Sequence, residues 1–150
     1  LGEGLSNIYS SLVNGGYLAA AVWASPDKVP FLSVSMKTVV KETGKPMPPS
    51  GTPGPFKLAD QSIITDALSK CGFKDIVVER INVIFTFSSP EEYTQFNQAI
   101  AAPINAMLAD QSQERKEEIW KAVTESASSY VDATGNVKLD NESICICAKK

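Results

Sequence analysis

The sequence predicts an α/β fold built on a small three-stranded sheet. Three observations predict it: an unbroken apolar run from Tyr17 to Val22, a long alternating run from Ile76 to Phe87, and an amphipathic helix between them. Strand, helix, strand in that order reads as a βαβ crossover, whose two strands are expected to be parallel. A third strand, Ser143 to Ala148, closes the chain.

The elements follow in order. Leu5, Ile8, Tyr9, Leu12 and Val13 recur at helical spacing. Asn14-Gly15 stops that helix, because both residues tolerate a left-handed backbone. Tyr17 to Val22 has no polar face, the mark of a strand buried on both sides. Pro26 and Pro30 bracket a turn, and Phe31 to Thr43 reads as a helix with Leu32, Met36, Val39 and Val40 on one side. Lys45 to Phe56 holds five prolines and two glycines, so residues 24–56 are expected to form a lid inserted after the first strand.

Asp60 then caps a helix whose stripe is Ile63, Ile64, Ala67, Leu68 and Cys71, and Gly72 ends it. In the following strand Val77, Ile81, Val83, Phe85 and Phe87 share one face, which Glu79 joins. Ser89-Pro90-Glu91-Glu92 starts a helix with a cap, a proline at the first position and Glu92 at the capping-box position. That helix is expected to run through Tyr93, Phe96, Ile100 and Ile104 with a kink at Pro103. Ser112 opens another, apolar at Ile119, Trp120, Val123, Ala127 and Tyr130, so residues 89–131 form an added helix pair. Thr134-Gly135-Asn136 turns the chain into its last strand.

With 150 residues the chain fits one domain, 1–150, with a real core. A net charge of −3 offers nothing to attract nucleic acid. No apolar run is long enough to span a bilayer, and no signal-peptide pattern is present. The absence of histidine removes His-based triads, His metal sites and His proton shuttles. Three cysteines without framework spacing point to a reducing, cytoplasmic compartment. Cys145 and Cys147 share one strand face, but two thiols without further ligands read as strand packing, and no metal site is assigned. Asp27-Lys28, Glu91-Glu92 and Glu114 to Glu118 read as solvated charges, and no serine or threonine has an evident base.

The stretch Leu12-Val13-Asn14-Gly15-Gly16-Tyr17-Leu18 is similar to the Leu-x-Pro-Gly-Gly-x-Leu that precedes the fifth strand of the class I S-adenosylmethionine-dependent methyltransferases, of the ubiquinone and menaquinone methyltransferase kind, with Asn14 in the Pro position. Ala67 to Ile76, around Cys71-Gly72-Phe73, resembles the family's join into its sixth strand, and Ser143 to Lys149 resembles its seventh. The resemblance covers essentially the whole chain. It implies the C-terminal half of a Rossmann-like methyltransferase fold. The implied sheet is mixed, two parallel strands plus one antiparallel, with the last strand lying antiparallel between the other two.

The resemblance also implies a reaction: transfer of a methyl group from S-adenosylmethionine to a small, apolar acceptor. The family holds that cofactor with a Gly-rich loop after its first strand and an acidic residue ending its second. Gly2-Glu3-Gly4 is not that loop, since it opens a helix. No cofactor-binding or catalytic residue is therefore carried over. The chain begins at Leu1 and is expected to be a fragment without the cofactor half, inactive by itself.

Ligands in open α/β sheets lie beyond the carboxyl ends of the strands. That rule makes Trp23, Phe31, Met36 and Phe56 the candidate acceptor-lining residues. The same four can also fill a core between lid and helices. The alternative function is a non-enzymatic binding or interaction module. Loss of the family's fourth strand would leave the edge of residues 17–22 exposed, which predicts a homodimer through it.

Overall fold

The structure is a computed structural model that describes residues 1–47 and 52–150. The chain divides into two compact units. One comprises Leu1–Lys28, Pro49–Val83 and Glu142–Lys150; the other comprises Val29–Pro48 and Ile84–Asn141. Among the described residues three strands form one open sheet: β1 (Tyr17–Trp23), β2 (Lys74–Phe87) and β3 (Val137–Lys149), in the order β1-β3-β2. Both β2 and β3 pass from one unit into the other along the chain.

The sheet corrects the expectation of two parallel strands. β3 lies between β1 and β2, so those two share no ladder, and the sheet is antiparallel. The crossover from β1 to β2 skips one strand position, and the chain's last segment fills the gap.

In the sheet unit, α1 (Gly2–Ser11) packs against α3 (Gln61–Lys70). Leu5 of α1 and Ile64 and Leu68 of α3 are buried, as are Phe73, Ile144, Ile146 and Ala148. β1 and β3 pair from Tyr17↔Lys149 to Trp23↔Ser143. Leu18, Ala20 and Val22 thus lie opposite Ala148, Ile146 and Ile144 on the covered face. The other face carries Tyr17, Ala19 and Ala21, all exposed. β1 is therefore covered on one side, not on two as its uninterrupted apolar run predicts. Alanine at alternate positions leaves little apolar area in water on the bare side.

The ends of α1 and α3 are tied by local chemistry. Asp60 caps α3 by accepting from the Ser62 N–H at 3.0 Å. Gly72 follows the C-terminus at φ +96°, and a Cβ there would come within 3.3 Å of the Tyr9 ring. Tyr9 meets Phe73 edge-on, with ring centroids 5.0 Å apart. Lys150 is half-buried. Its ammonium donates to the Leu12 carbonyl at 2.7 Å, beside the end of α1, and lies 4.9 Å from the Tyr9 ring centroid. A cation there complements the negative end of the helix dipole.

The helical unit contains α2 (Pro30–Thr43), α4 (Pro90–Ile100), α5 (Ala102–Met107) and α6 (Gln113–Ala127). α6 packs on both α2 and α4. Its core joins Phe31, Val39, Phe87, Tyr93, Ile119 and Val123 with Val137 and Leu139 of β3. The segment expected as a lid divides. α2 gives Phe31, Val34 and Val39 to this core, residues 52–60 belong to the sheet unit, and residues 48–51 lie outside the described residues.

Boundaries and a cap differ from those the sequence predicts. The helix expected to continue past Pro103 stops at Ile100, and α5 starts afresh after Ala101, whose ψ of 63° is not helical. Pro103 has no N–H to offer the Ala99 carbonyl, so the chain breaks a turn earlier. Glu92 reaches past its expected partner: its carboxylate accepts from Ser88 N–H at 2.5 Å and Ser88 Oγ at 2.7 Å. The Ser89 hydroxyl does accept from the Glu92 N–H, at 3.2 Å. Finally, β3 begins at Val137 rather than Ser143, with Val137, Leu139, Asn141 and Ser143 buried in alternation.

Candidate functional site

The four residues expected to line an acceptor pocket are divided between the units. Trp23 and Phe56 belong to the sheet unit, Phe31 and Met36 to the helical one. Trp23 is half-buried at the carboxyl end of β1, and Phe56 is half-buried in the turn that precedes α3. Phe31 is only 6% exposed. Its ring stacks on Phe85 at 4.3 Å between centroids, and on Phe87 at 6.3 Å. Met36 is half-buried against the same helical core.

The sheet unit carries a shallow concavity of about 500 Å³ on its bare face. Ala19, Ala21, Val77, Glu79, Cys145 and Cys147 line it. β3 is the central strand, so Cys145 and Cys147 stand in the middle of the face, half-buried and free of disulfides. Alanine, valine and thiol side chains leave the surface apolar, and Glu79 is the one carboxylate among the six. Among the described residues no three His, Cys, Asp or Glu side chains converge as a metal site. The face can bind by burial of apolar area; it has no acid–base pair for proton transfer.

The helical unit holds the buried polar chemistry, which sequence reasoning did not single out. The Tyr93 hydroxyl donates to the Phe31 carbonyl at 3.0 Å. Ser35 donates to Asn97 Oδ1 at 2.9 Å, and Asn97 Nδ2 donates to the Tyr93 carbonyl at 2.9 Å. Burial pushes the Tyr93 phenol up from its ordinary value, while hydrogen bonding to Ser35 opposes that shift. Thr94 and Thr124 pair at 2.8 Å, and Thr38 donates to Ser126 at 3.0 Å. Among the described residues no buried side-chain nitrogen or oxygen lacks a partner. A network satisfied from within fixes the positions of the helices.

Asn141 is the least expected of these residues. It is fully buried, and its Oδ1 accepts the Phe31 N–H at 2.9 Å while its Nδ2 donates to the Leu139 carbonyl at 2.9 Å. Val29, the N-cap of α2, makes no side-chain cap bond. A residue from β3 thus supplies the cap that the local sequence lacks, at a separation of 110 residues. The one sequence signal for it was an asparagine at an inward strand position.

Among the described residues, no helix is long and apolar enough to cross a membrane. Set against known proteins, the chain matches no family model and no curated protein.

Proposed function

We propose that this chain is the C-terminal, substrate-side portion of an S-adenosylmethionine-dependent methyltransferase acting on a small, apolar acceptor. The observation that carries the reading is the place of β3, antiparallel between β1 and β2. The resemblance at Asn14-Gly15-Gly16 and Cys71-Gly72-Phe73 implies a last strand in that central position, and this position, not the mixed sheet expected around it, supports the reading. The turns at those two points support it: Gly15 at φ 78° delivers the chain to β1, and Gly72 at φ 96° delivers it to β2.

The cofactor supplies an electrophilic methyl group in this family. Among the described residues no glycine-rich turn joins a strand to a helix with a carboxylate beyond, so no residue of this chain is assigned to hold it. The chain's contribution is the acceptor side, where positioning and exclusion of water accelerate a displacement without an acid–base residue. Trp23, at the carboxyl end of β1, is the lining residue this reading favours. The three free cysteines fit a reducing, cytoplasmic compartment.

The test is to express the full reading frame that carries these residues and titrate it with S-adenosylmethionine by calorimetry, beside the 150-residue chain. The reading expects micromolar one-to-one binding by the full product and none by the chain. A full product that does not bind overturns the methyltransferase reading. A chain that binds alone overturns its division into cofactor and acceptor portions. A second reading, an interaction module, draws on the bare apolar face at Ala19, Ala21, Cys145 and Cys147. A full product that ignores the cofactor yet self-associates favours it.

A further inference from the structure

We infer that this chain forms a twofold dimer by antiparallel pairing of β1 with β1 of a second copy, centred on Ala20. The inference rests on β1 alone and not on the methyltransferase reading. Among the described residues β1 has one strand neighbour, β3, so its other side is a sheet edge. The Lys150 N–H donates to Gly16 and the Ala24 N–H donates to Glu142, which marks the even-numbered residues of β1 as the hydrogen-bonded partners of β3. Hydrogen-bonded and non-bonded pairs alternate in an antiparallel ladder, so Tyr17, Ala19 and Ala21 turn their N–H and C=O outward. Tyr17 to Trp23 contains no charge, no proline and no bulge, the devices that normally blunt an edge.

The side chains name the occupant. A twofold interface requires that residue i meet residue j while j meets i. Tyr17-Leu18-Ala19-Ala20-Ala21-Val22-Trp23 is a palindrome of size about Ala20: aromatic, aliphatic, three alanines, aliphatic, aromatic. Laid antiparallel on itself, it sets Tyr17 opposite Trp23, Leu18 opposite Val22 and Ala19 opposite Ala21. The outward backbone groups of Ala19 then face those of Ala21 as a hydrogen-bonded pair, and Ala20 meets its own copy at the axis as a non-bonded pair. Chain direction, hydrogen-bond phase and side-chain size agree in one register. An unrelated strand would satisfy the first two and not the third. Opposed residues point to the same face, so the two bare faces join into one surface across six strands.

Charge at Ala19 and Ala21 tests the register, because both are exposed and both sit at non-hydrogen-bonded positions of the ladder to β3. The double variant Ala19→Lys, Ala21→Lys sets lysine opposite lysine twice. It is expected to weaken the dimer about tenfold or more by sedimentation equilibrium. The variant Ala19→Lys, Ala21→Glu sets opposite charges across the axis and is expected to keep the dimer. Equal behaviour of the two variants overturns the register. The unaltered chain supplies a measurement that no misfolded variant can spoil. Amide exchange at Tyr17, Ala19 and Ala21 is expected to slow as concentration rises. A chain that sediments as a monomer at high micromolar concentration, with those amides unchanged, overturns the dimer. In a longer polypeptide an upstream strand is the rival occupant of this edge, and a monomeric full product beside a dimeric chain identifies it.

Discussion

Replacing Asn141 with alanine removes its bonds to Phe31 and Leu139 from a site that water does not reach. The Phe31 N–H at the start of α2 loses its acceptor, and the Leu139 carbonyl loses a donor. A lost N-cap costs about 1 kcal/mol. Because this cap's donor is buried, its loss costs about 1–3 kcal/mol instead, and the stranded carbonyl adds less, because it keeps a second lone pair. The expected loss for Asn141→Ala is therefore about 2–4 kcal/mol. With a urea slope of about 2 kcal/mol per molar, the midpoint should fall by about 1–2 M. Trp120, buried in the helical core, reports that unit's unfolding once Trp23 is replaced by phenylalanine. Asn105→Ala is the control, since Asn105 is exposed and its side chain donates to the nearby Gln98 carbonyl. A midpoint shift for Asn141→Ala no larger than the control's would refute the cap and the reasoning that made it buried and necessary.

Gly72→Ala should destabilise more than Gly135→Ala. Both glycines have positive φ, +96° and +87°, but only Gly72 has a neighbour, the Tyr9 ring at 3.3 Å from a built Cβ. The backbone change costs about 1–2 kcal/mol at either site, and equal losses in urea would show that Tyr9 moves aside freely. Acid should weaken the turns and caps. Asp60, Glu92 and Asp132 are each held below the ordinary carboxylate value, first by hydrogen bonds from the side chains of Ser62, Ser88 and Thr134. A carboxyl whose folded pKa lies below its unfolded one contributes stability above the unfolded value and loses it as pH falls through the folded value. Melting temperature should thus drop on the acid side of the carboxylate range, with a shallower drop in Asp60→Asn; identical acid profiles would refute that assignment.

Local signals in the sequence carried the element starts and stops. Asp60, Ser89 and Ser112 each cap the helix expected of them, and Gly72 ends α3, because a cap bond spans only two or three residues of chain. What long-range packing decides was not legible. Asp140-Asn141-Glu142 interrupts the apolar alternation, so β3 reads as starting late; the inward Asn141 is tolerated there because Phe31 and Leu139 satisfy it. Phe31 and Met36 read as acceptor lining, yet Phe31 stacks within the helical core and Met36 packs against it. Period and polarity say that a side chain leaves water. They do not say whether a ligand or a helix receives it. The apolar run of β1 carried a similar ambiguity, since alanines suit a doubly buried strand and a bare edge alike.

The chain crosses between its two units four times, at residues 28/29, 48/49, 83/84 and 141/142. No single cut, whether by a protease or by a truncated gene, frees one of them whole. Shortening the chain from either end removes part of the sheet unit first, since that unit owns both termini. In genetic terms the helical unit is two inserts, Val29–Pro48 and Ile84–Asn141, and neither alone contains its core: Phe31 and Val39 come from the first, Tyr93, Ile119 and Val123 from the second. Exploring its boundaries calls for paired internal deletions rather than a ladder of truncations.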